Sequence, residues 1–288
     1  MNNSYLLTCY VLSFTLLTLM INTGYGVIFM AKNAMVTGAG RGIGRAIALE
    51  LGRAGYAVGV NYLSSEKGAL EVCEIINNSG GKAIPLKADV GDCLQLQKIF
   101  DEFTDKIGPI DLMVNNAGRS KFYPFLEVTE EQWLELTFSD WKGAFFGTQY
   151  AARNMVANKK KGVIINISSN HADGCWPDAS VYGPTKAALT KFGKNAAMEL
   201  APYGIRVITV APGYTDVGWP KEHPVHNAKD KIPMKRFAEP SEIAKIIAFL
   251  ASDECAYMTG NCVTVDGGAL LPILPENYYY GGYYSENS

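Results

Sequence analysis

The chain has 288 residues and a formal net charge of −2, with hydrophobic residues at 48% and charged residues at 19%, a globular balance sufficient for one large core. No Lys/Arg stripe stands out, which excludes nucleic acid as an expected partner. The six cysteines form no C-x-x-C pair and no Cys/His cluster at metal spacing, so they read as small buried hydrophobes of a reducing compartment, and no metal is expected.

Residues 1–31 carry no charged side chain, and 6–21 is nearly continuous apolar sequence. A membrane-spanning helix needs about 20 such residues, whereas a secretory signal normally opens on basic residues, absent here. Met30-Ala31-Lys32-Asn33 runs straight into the first strand-like segment. Met30 is therefore read as the functional start, with 1–29 an apolar extension outside the fold and the protein cytoplasmic. The alternative is an enzyme anchored to a membrane through that extension.

Beyond Met30, short apolar runs alternate with helical periodicity. Residues 34–37 read as strand, 38–44 as a glycine-rich turn and 45–55 as a helix closed by a glycine. Strand returns at 56–61, helix at 65–78, strand at 83–87, helix at 93–107 and strand at 112–115. One long helix is expected over 129–157, then a buried strand at 163–168, a helix at 181–201 and a strand at 207–210. Residues 213–237 carry three prolines and no clean period, the profile of a functional lid. A helix at 241–250 and a strand at 262–265 complete a domain spanning 30–275, and the tyrosine-rich stretch 276–288 reads as a low-complexity tail. The alternation predicts one doubly wound (Rossmann-like) α/β domain, its mostly parallel sheet covered by helices on both faces.

Thr37-Gly38-Ala39-Gly40-Arg41-Gly42-Ile43-Gly44 sits where the first strand feeds the first helix. Gly38 permits the tight turn, Gly42 lets backbone approach a pyrophosphate, and Gly44 lets helix pack on strand. The helix N-terminus then offers N–H groups and a positive dipole end to the phosphates. An NAD site normally places a carboxylate about 20 residues further on; here Val60-Asn61-Tyr62-Leu63-Ser64-Ser65 holds no acid before Glu66. Arg41 is placed to reach a 2′-phosphate, with Asn61 and Ser64 adding neutral hydrogen bonds, although a solvated turn residue is the plainer alternative for Arg41. NADP(H) is favoured, and NAD(H) stays open as a second cofactor.

Tyr182 and Lys186, at i and i+4, share one helix face. A free phenol titrates near 10, and a neighbouring ammonium favours the phenolate. Such a tyrosine donates a proton to a carbonyl or removes one from an alcohol. Ser169, at the C-terminal end of the fifth strand, is placed to hold the substrate oxygen.

Residues 30 to about 270 resemble the classical short-chain dehydrogenases/reductases. The resemblance rests on the glycine pattern at 37–44, Asp89-Val90, Asn115-Asn116-Ala117-Gly118, Ser169, Tyr182-x-x-x-Lys186, Pro212-Gly213 and Asp266-Gly267-Gly268. It implies that Asp89 and Val90 reach the adenine, that Asn115 steadies the central sheet, and that Asn116, Ala117 and Gly118 lie along the cofactor. It also implies that Ile43, Pro212 and Gly213 approach the dinucleotide, that Tyr182 and Lys186 touch the nicotinamide end, and that the chain forms a homo-oligomer, a tetramer or dimer. Ser168-Ser169-x-His171, Trp176-Pro177 and Ile232-Pro233-Met234 further resemble bacterial glucose 1-dehydrogenases. His171 and Trp176 then become substrate-binding candidates, with His171 equally readable as packing under its loop.

Two positions depart from the family pattern. Asp140 stands where the family has an asparagine that helps hold a water linked to the lysine, and its charge is expected to raise the lysine's pKa. Asp140 is thus carried as a catalytic candidate with Ser169, Tyr182 and Lys186. Val217 stands where a threonine often faces the nicotinamide amide, with Thr215 two residues earlier. The leading expectation is an NADP(H)-dependent oxidoreductase of a small-molecule sugar, polyol or ketone. A 3-oxoacyl-thioester reductase, kept open by Lys221, Lys229 and Lys231, and a cofactor-binding regulator without turnover are the alternatives.

Overall fold

The computed structural model describes residues 32–271. The expectations for 1–29, for Met30 as a start and for the tail 276–288 lie outside the described residues. Seven strands form one sheet: β1 (Asn33–Val36), β2 (Ala57–Tyr62), β3 (Lys82–Lys87), β4 (Leu112–Asn115), β5 (Gly162–Ile167), β6 (Ile205–Pro212) and β7 (Cys262–Val265). All pairings are parallel, in the order β3-β2-β1-β4-β5-β6-β7. The chain winds outward from β1 to β3, returns beside β1 as β4, and winds outward the other way. The β1/β4 junction is thus a topological switch point, where open parallel sheets bind ligands.

The described residues hold seven α-helices, α1 (Gly42–Arg53), α2 (Glu66–Asn78), α3 (Cys93–Lys106), α4 (Glu130–Thr137), α5 (Gly143–Ala157), α6 (Tyr182–Leu200) and α7 (Pro240–Ala251), all but α4 packed on the sheet. Strand periodicity of two decides which face each side chain serves. Ala34 and Val36 pack with Ile47, Leu51, Val72 and Ile247 of α1, α2 and α7. Met35 packs the opposite way with Phe100, Phe103, Met155 and Ala196 of α3, α5 and α6. Every residue of β1, β2, β4 and β5 is buried, as expected for strands covered on both faces. The amide of Asn115 donates to Thr148 Oγ1 (3.0 Å) and Asn166 Oδ1 (2.8 Å), tying the sheet centre to α5.

The expected helix over 129–157 is interrupted. Between α4 and α5 lies one π turn, Phe138–Lys142. The wide turn carries Asp140 inward, where it is 1% exposed, while Phe138 and Trp141 stay at the surface. A residue inserted this way shifts the helix register without altering residue type, so periodicity does not reveal it. The segment 213–237 also holds more structure than expected, a 3₁₀ stretch at Pro224–Lys231 and a bridge between Thr215 and Ala238. Among the described residues, no helix is long and apolar enough to cross a membrane.

Candidate active site

The C-terminal ends of β1, β2, β4, β5 and β6 open into one cavity of about 860 Å³, near the upper end of the roughly 300–1,000 Å³ usual for small-molecule sites. Gly38 (φ +64°) and Gly42 (φ +55°) are both left-handed, a conformation that favours glycine. A Cβ on Gly38 would stand 2.9 Å from Ala117 Cα, and one on Gly44 would stand 2.3 Å from Gly38 O. Side chains then brace the turn. Thr37 Oγ1 accepts from the backbone N–H groups of Asn116 (2.9 Å) and Ala117 (3.0 Å), while the Asn116 amide donates to Thr37 O (2.9 Å).

Asn61 belongs to the same brace, which corrects the expectation that it hydrogen-bonds the cofactor's 2′-phosphate. Its side chain accepts from Gly38 N (3.1 Å) and donates to Leu86 O (3.0 Å) and Ala88 O (3.2 Å), and it is 1% exposed. Its hydrogen-bonding groups are occupied in shaping the turn. Arg41 and Ser64 are exposed at the cavity, and among the described residues the Arg41 guanidinium has no hydrogen bond or ion pair. Glu66, the first acid beyond β2, accepts from Tyr62 Oη (3.1 Å) and pairs with Lys87 (3.9 Å), away from the cavity. Ile43, Asp89, Val90, Ala117, Gly118, Pro212, Gly213 and Thr215 all line the wall. Asp89 Oδ1 accepts from Gly91 N (2.8 Å), and Thr215 Oγ1 donates to Gly213 O (3.2 Å). Val217 lies over Gly42, where an added Cβ would meet its Cγ1 at 3.3 Å.

These residues fit a dinucleotide. The first turn of α1 has no acid and no side-chain cap, so its N–H groups stay open to an anion. The bare glycines keep that approach free of Cβ atoms.

At the other end of the cavity, α6 starts at Tyr182, and Lys186 follows one turn on, both buried. Lys186 Nζ lies 3.0 Å from Asp140 Oδ2, donates to Ile167 O (3.2 Å) and stands 5.6 Å from the Tyr182 ring centre. Asp140 Oδ1 accepts from Arg119 N (2.8 Å) and Ser139 Oγ (2.6 Å). Asp140 therefore meets the lysine directly, which corrects the expectation of a carboxylate linked to it through water. Burial alone pulls the Lys186 pKa down; Asp140, with Tyr182 adding, more than reverses this and holds it above the usual lysine value.

Ser169 Oγ accepts from His171 N (3.3 Å) and lies 3.2 Å from His171 Nδ1, which is also 3.3 Å from Asn170 Oδ1. The preceding Ser168 binds α6 instead, donating to Lys186 O (2.9 Å). The His171 ring stacks on Trp176 (4.0 Å between centres) and meets Tyr182 edge-on (5.2 Å). Burial lowers its pKa to about 4, so the imidazole is neutral at neutral pH. Trp176 was expected to contact substrate, but it lies outside the cavity wall, behind His171, with Nε1 donating to Tyr214 Oη (3.1 Å). Its aromatic face is taken by the histidine.

Three wall residues escape sequence reasoning. Ser120 Oγ is 3.5 Å from Tyr182 Oη, Phe122 meets the Tyr182 ring edge-on (5.5 Å), and Asn170 is buried with its Nδ2 unpartnered. Ser120 and Phe122 follow the Asn115–Gly118 run on a loop whose path no periodicity records.

A family model described as enoyl-(acyl carrier protein) reductase matches residues 38–269. The chain belongs to the short-chain dehydrogenase/reductase family. It is 37% identical over 247 residues to a 3-oxoacyl-[acyl-carrier-protein] reductase of Staphylococcus aureus, covering 84% of this chain and 99% of that protein. It is also 37% identical over 246 residues to glucose 1-dehydrogenase 2 of Bacillus subtilis, covering 83% and 95%. The crystal structure of an acetoin dehydrogenase from Salmonella typhimurium superposes with a TM-score of 0.78 at 34% identity, covering 84% of this chain and 98% of that one. As a short-chain dehydrogenase/reductase, the chain is an oxidoreductase acting between alcohol and carbonyl with a nicotinamide cofactor.

Two outcomes follow from this geometry. Asn61→Val should cost about 1–3 kcal/mol, because Gly38 N, Leu86 O and Ala88 O lose a buried partner; urea unfolding would show it as a lower midpoint at unchanged slope. His171 has a folded pKa below its unfolded value near 6.5, so the unfolded chain binds the extra proton first. Its contribution to stability is complete above about pH 6.5 and is lost as pH falls toward about 4. The unfolding free energy of His171→Gln should therefore decline less steeply over that range than that of the unaltered protein.

Proposed function

We propose that this chain is an NADP(H)-preferring dehydrogenase/reductase acting on a small neutral polar substrate, a sugar, polyol or small ketone. The observation that carries the cofactor choice is the unpartnered Arg41 guanidinium at the cavity, with Glu66 engaged elsewhere. A 2′-phosphate would give Arg41 a charge-assisted partner, and the first acid beyond β2 is held by Tyr62 and Lys87 instead of facing a ribose 2′-OH. NAD(H) is the weaker second cofactor. Bound nicotinamide supplies or accepts the hydride at the reacting carbon.

The chain's own residues supply the rest. Tyr182 gives its proton to a carbonyl oxygen in reduction or takes one from an alcohol in oxidation. Ser169 Oγ, held by His171 N, hydrogen-bonds that same oxygen. Phe122 packs edge-on against the Tyr182 ring and helps hold its position. Neutral His171, on the cavity wall, offers an uncharged hydrogen-bonding group to substrate hydroxyls. Arg119 and Lys121, the cations on this side of the rim, are both paired with Glu135, which favours a neutral substrate over an anionic one. By family, the working form is a homo-oligomer, a tetramer or dimer, in the cytoplasm.

The similarity to a 3-oxoacyl-[acyl-carrier-protein] reductase supports a second reading. Exposed Lys221 and Lys231 in the segment over the cavity would then face the acidic carrier. A panel of aldoses, polyols, small ketones and 3-oxoacyl thioesters, followed by reduced-nicotinamide absorbance, separates the two. Cofactor binding without turnover of any of them would instead indicate a regulator.

Tyr182→Phe should lower turnover by about 10²-fold or more, since the proton donor is gone, while NADPH affinity by fluorescence titration stays within about threefold of the unaltered value. Arg41→Ala should weaken NADP(H) by about 1.5–3 kcal/mol and NAD(H) far less. Equal losses for the two cofactors would assign Arg41 to turn shape alone.

A further inference from the structure

Each turnover must restore the proton on Tyr182, and the structure offers two exits from its hydroxyl. One runs through Lys186. There the ammonium is 4% exposed and Asp140 is 1% exposed, with Nζ 3.0 Å from Oδ2 and a second donor direction taken by Ile167 O. Passing a proton this way would leave a neutral amine beside a buried carboxylate, stranding a charge that burial makes costly to leave unpaired. The backbone of Gly118 closes the site further, since a Cβ there would stand 2.8 Å from Asp140 Oδ2. The other exit is Ser120. Its hydroxyl donates toward Tyr182 Oη at 3.5 Å and the residue is solvent-exposed, and such contacts shorten in working complexes.

We propose that Ser120 carries the proton between Tyr182 and solvent in this protein, and that the Asp140–Lys186 ion pair shuts the route through the lysine. The inference rests on the proposed dehydrogenase/reductase reading. In reduction, the Tyr182 O–H bond breaks as its proton passes to the substrate oxygen. The resulting phenolate takes the Ser120 hydroxyl proton, and Ser120 Oγ takes one from solvent water in the same movement, ending unchanged, while the hydroxide so formed is neutralised by a proton from bulk solvent. Oxidation runs these transfers in reverse. No electrons move in this step.

The surrounding groups leave little competition. His171, from the segment after β5, meets Tyr182 edge-on, and its Nδ1 faces Ser169 and Asn170. Its imidazole is neutral through the working range because burial lowers its pKa to about 4. Phe122 on the loop after β4 is apolar, and the Arg119 and Lys121 side chains are held by Glu135 of α4. Lys186 and Asp140 are the charged pair facing Tyr182 from α6 and the π turn.

The experiment compares the first turnover with steady-state turnover in the whole protein, using a substrate on which the unaltered chain is active. A proton already on Tyr182 serves the first turnover, so Ser120→Ala should show a first turnover of normal speed followed by a steady state slowed about tenfold or more. That loss is smaller than the roughly 10²–10⁴-fold of a removed catalytic acid, because water partly substitutes. Added imidazole should recover the steady state, and Ser120→Thr, which keeps a hydroxyl, should stay close to the unaltered rate. In an Asp140→Asn background the Ser120→Ala loss should shrink, because the lysine route opens. Independently of turnover, ¹⁵N-lysine NMR of the cofactor-free protein should show Lys186 losing its proton at lower pH in Asp140→Asn. An unchanged steady state in Ser120→Ala, or equal slowing of the first and later turnovers, would overturn the Ser120 route. An unshifted Lys186 titration would overturn the lock. Absence of turnover in the unaltered chain would count against the enzymic reading itself, leaving the NMR result to decide the ion pair.

Discussion

A lysine ammonium buried as deeply as Lys186 stands only with a counter-charge beside it, and the chemical end of the cavity is arranged around that requirement. The π turn exists where Asp140 must face inward. Arg119 N and Ser139 Oγ satisfy the carboxylate oxygen turned away from the lysine. Gly118 is bare because a Cβ would strike Asp140. Ile167 O, at the end of β5, takes a second lysine donor and so fixes the start of α6 against the sheet. Tyr182, one turn earlier on that helix, inherits its position from these contacts. Removing either charge alone would leave the other buried without a partner, a far larger disturbance than losing a surface ion pair.

The cofactor end follows a different logic. Its surface is mostly backbone, and the side chains behind it act as struts. Thr37, Asn61 and Asn116 each join segments far apart in the chain through side-chain bonds to backbone atoms. Buried amides of this kind suit the task because one side chain offers both donors and an acceptor. The result is a braced glycine turn whose N–H groups are aimed before any ligand arrives, which lowers the ordering cost of the binding proposed for it. Arg41 and Ser64 stand on this wall as exposed polar side chains, so on the proposed reading discrimination between cofactors rests on few groups while general affinity rests on many.

Much of this was legible because the signals were carried by residue type at fixed spacing. Alternating apolar runs pointed to the doubly wound sheet, glycines at 38, 42 and 44 to the tight turn before α1, and Tyr182 and Lys186 four apart to one helix face. The misreadings share a cause, since each depended on which way a side chain turns. Asn61 at the end of β2 has the right chemistry for a ribose phosphate, yet its buried position turns it toward Gly38. Trp176 lies close in sequence to the catalytic tyrosine, yet its ring backs His171 and bonds Tyr214. Asp140 was legible as a departure, but its direct contact with Lys186 required the π turn, which leaves no trace in a 3.6-residue period. Ser120 and Phe122 sit on a loop whose direction is set by tertiary contacts alone.

The division between these two ends explains why relatives named for a thioester reductase, a glucose dehydrogenase and an acetoin dehydrogenase share one frame. On the proposed reading, the sheet edge, the glycine turn and the Ser169–Tyr182–Lys186 set fix where a proton and a reducing equivalent are exchanged, and they say nothing of what hangs from the reacting carbon. That information lies in segments the core does not constrain: the loop from Arg119 to Phe122, the turn from Asn170 to Trp176, and the stretch 213–237. Here those segments place the neutral His171 ring with Phe122, Tyr214 and Trp219 on the cavity wall. Arg119 and Lys121 are paired with Glu135, Arg236 is paired with Glu242, and Lys221 and Lys231 stand exposed in 213–237. A fold so constrained at its edge and so free in its loops can change substrate without disturbing its chemistry, so substrate choice must be sought in those loops and not in the residues that define the family.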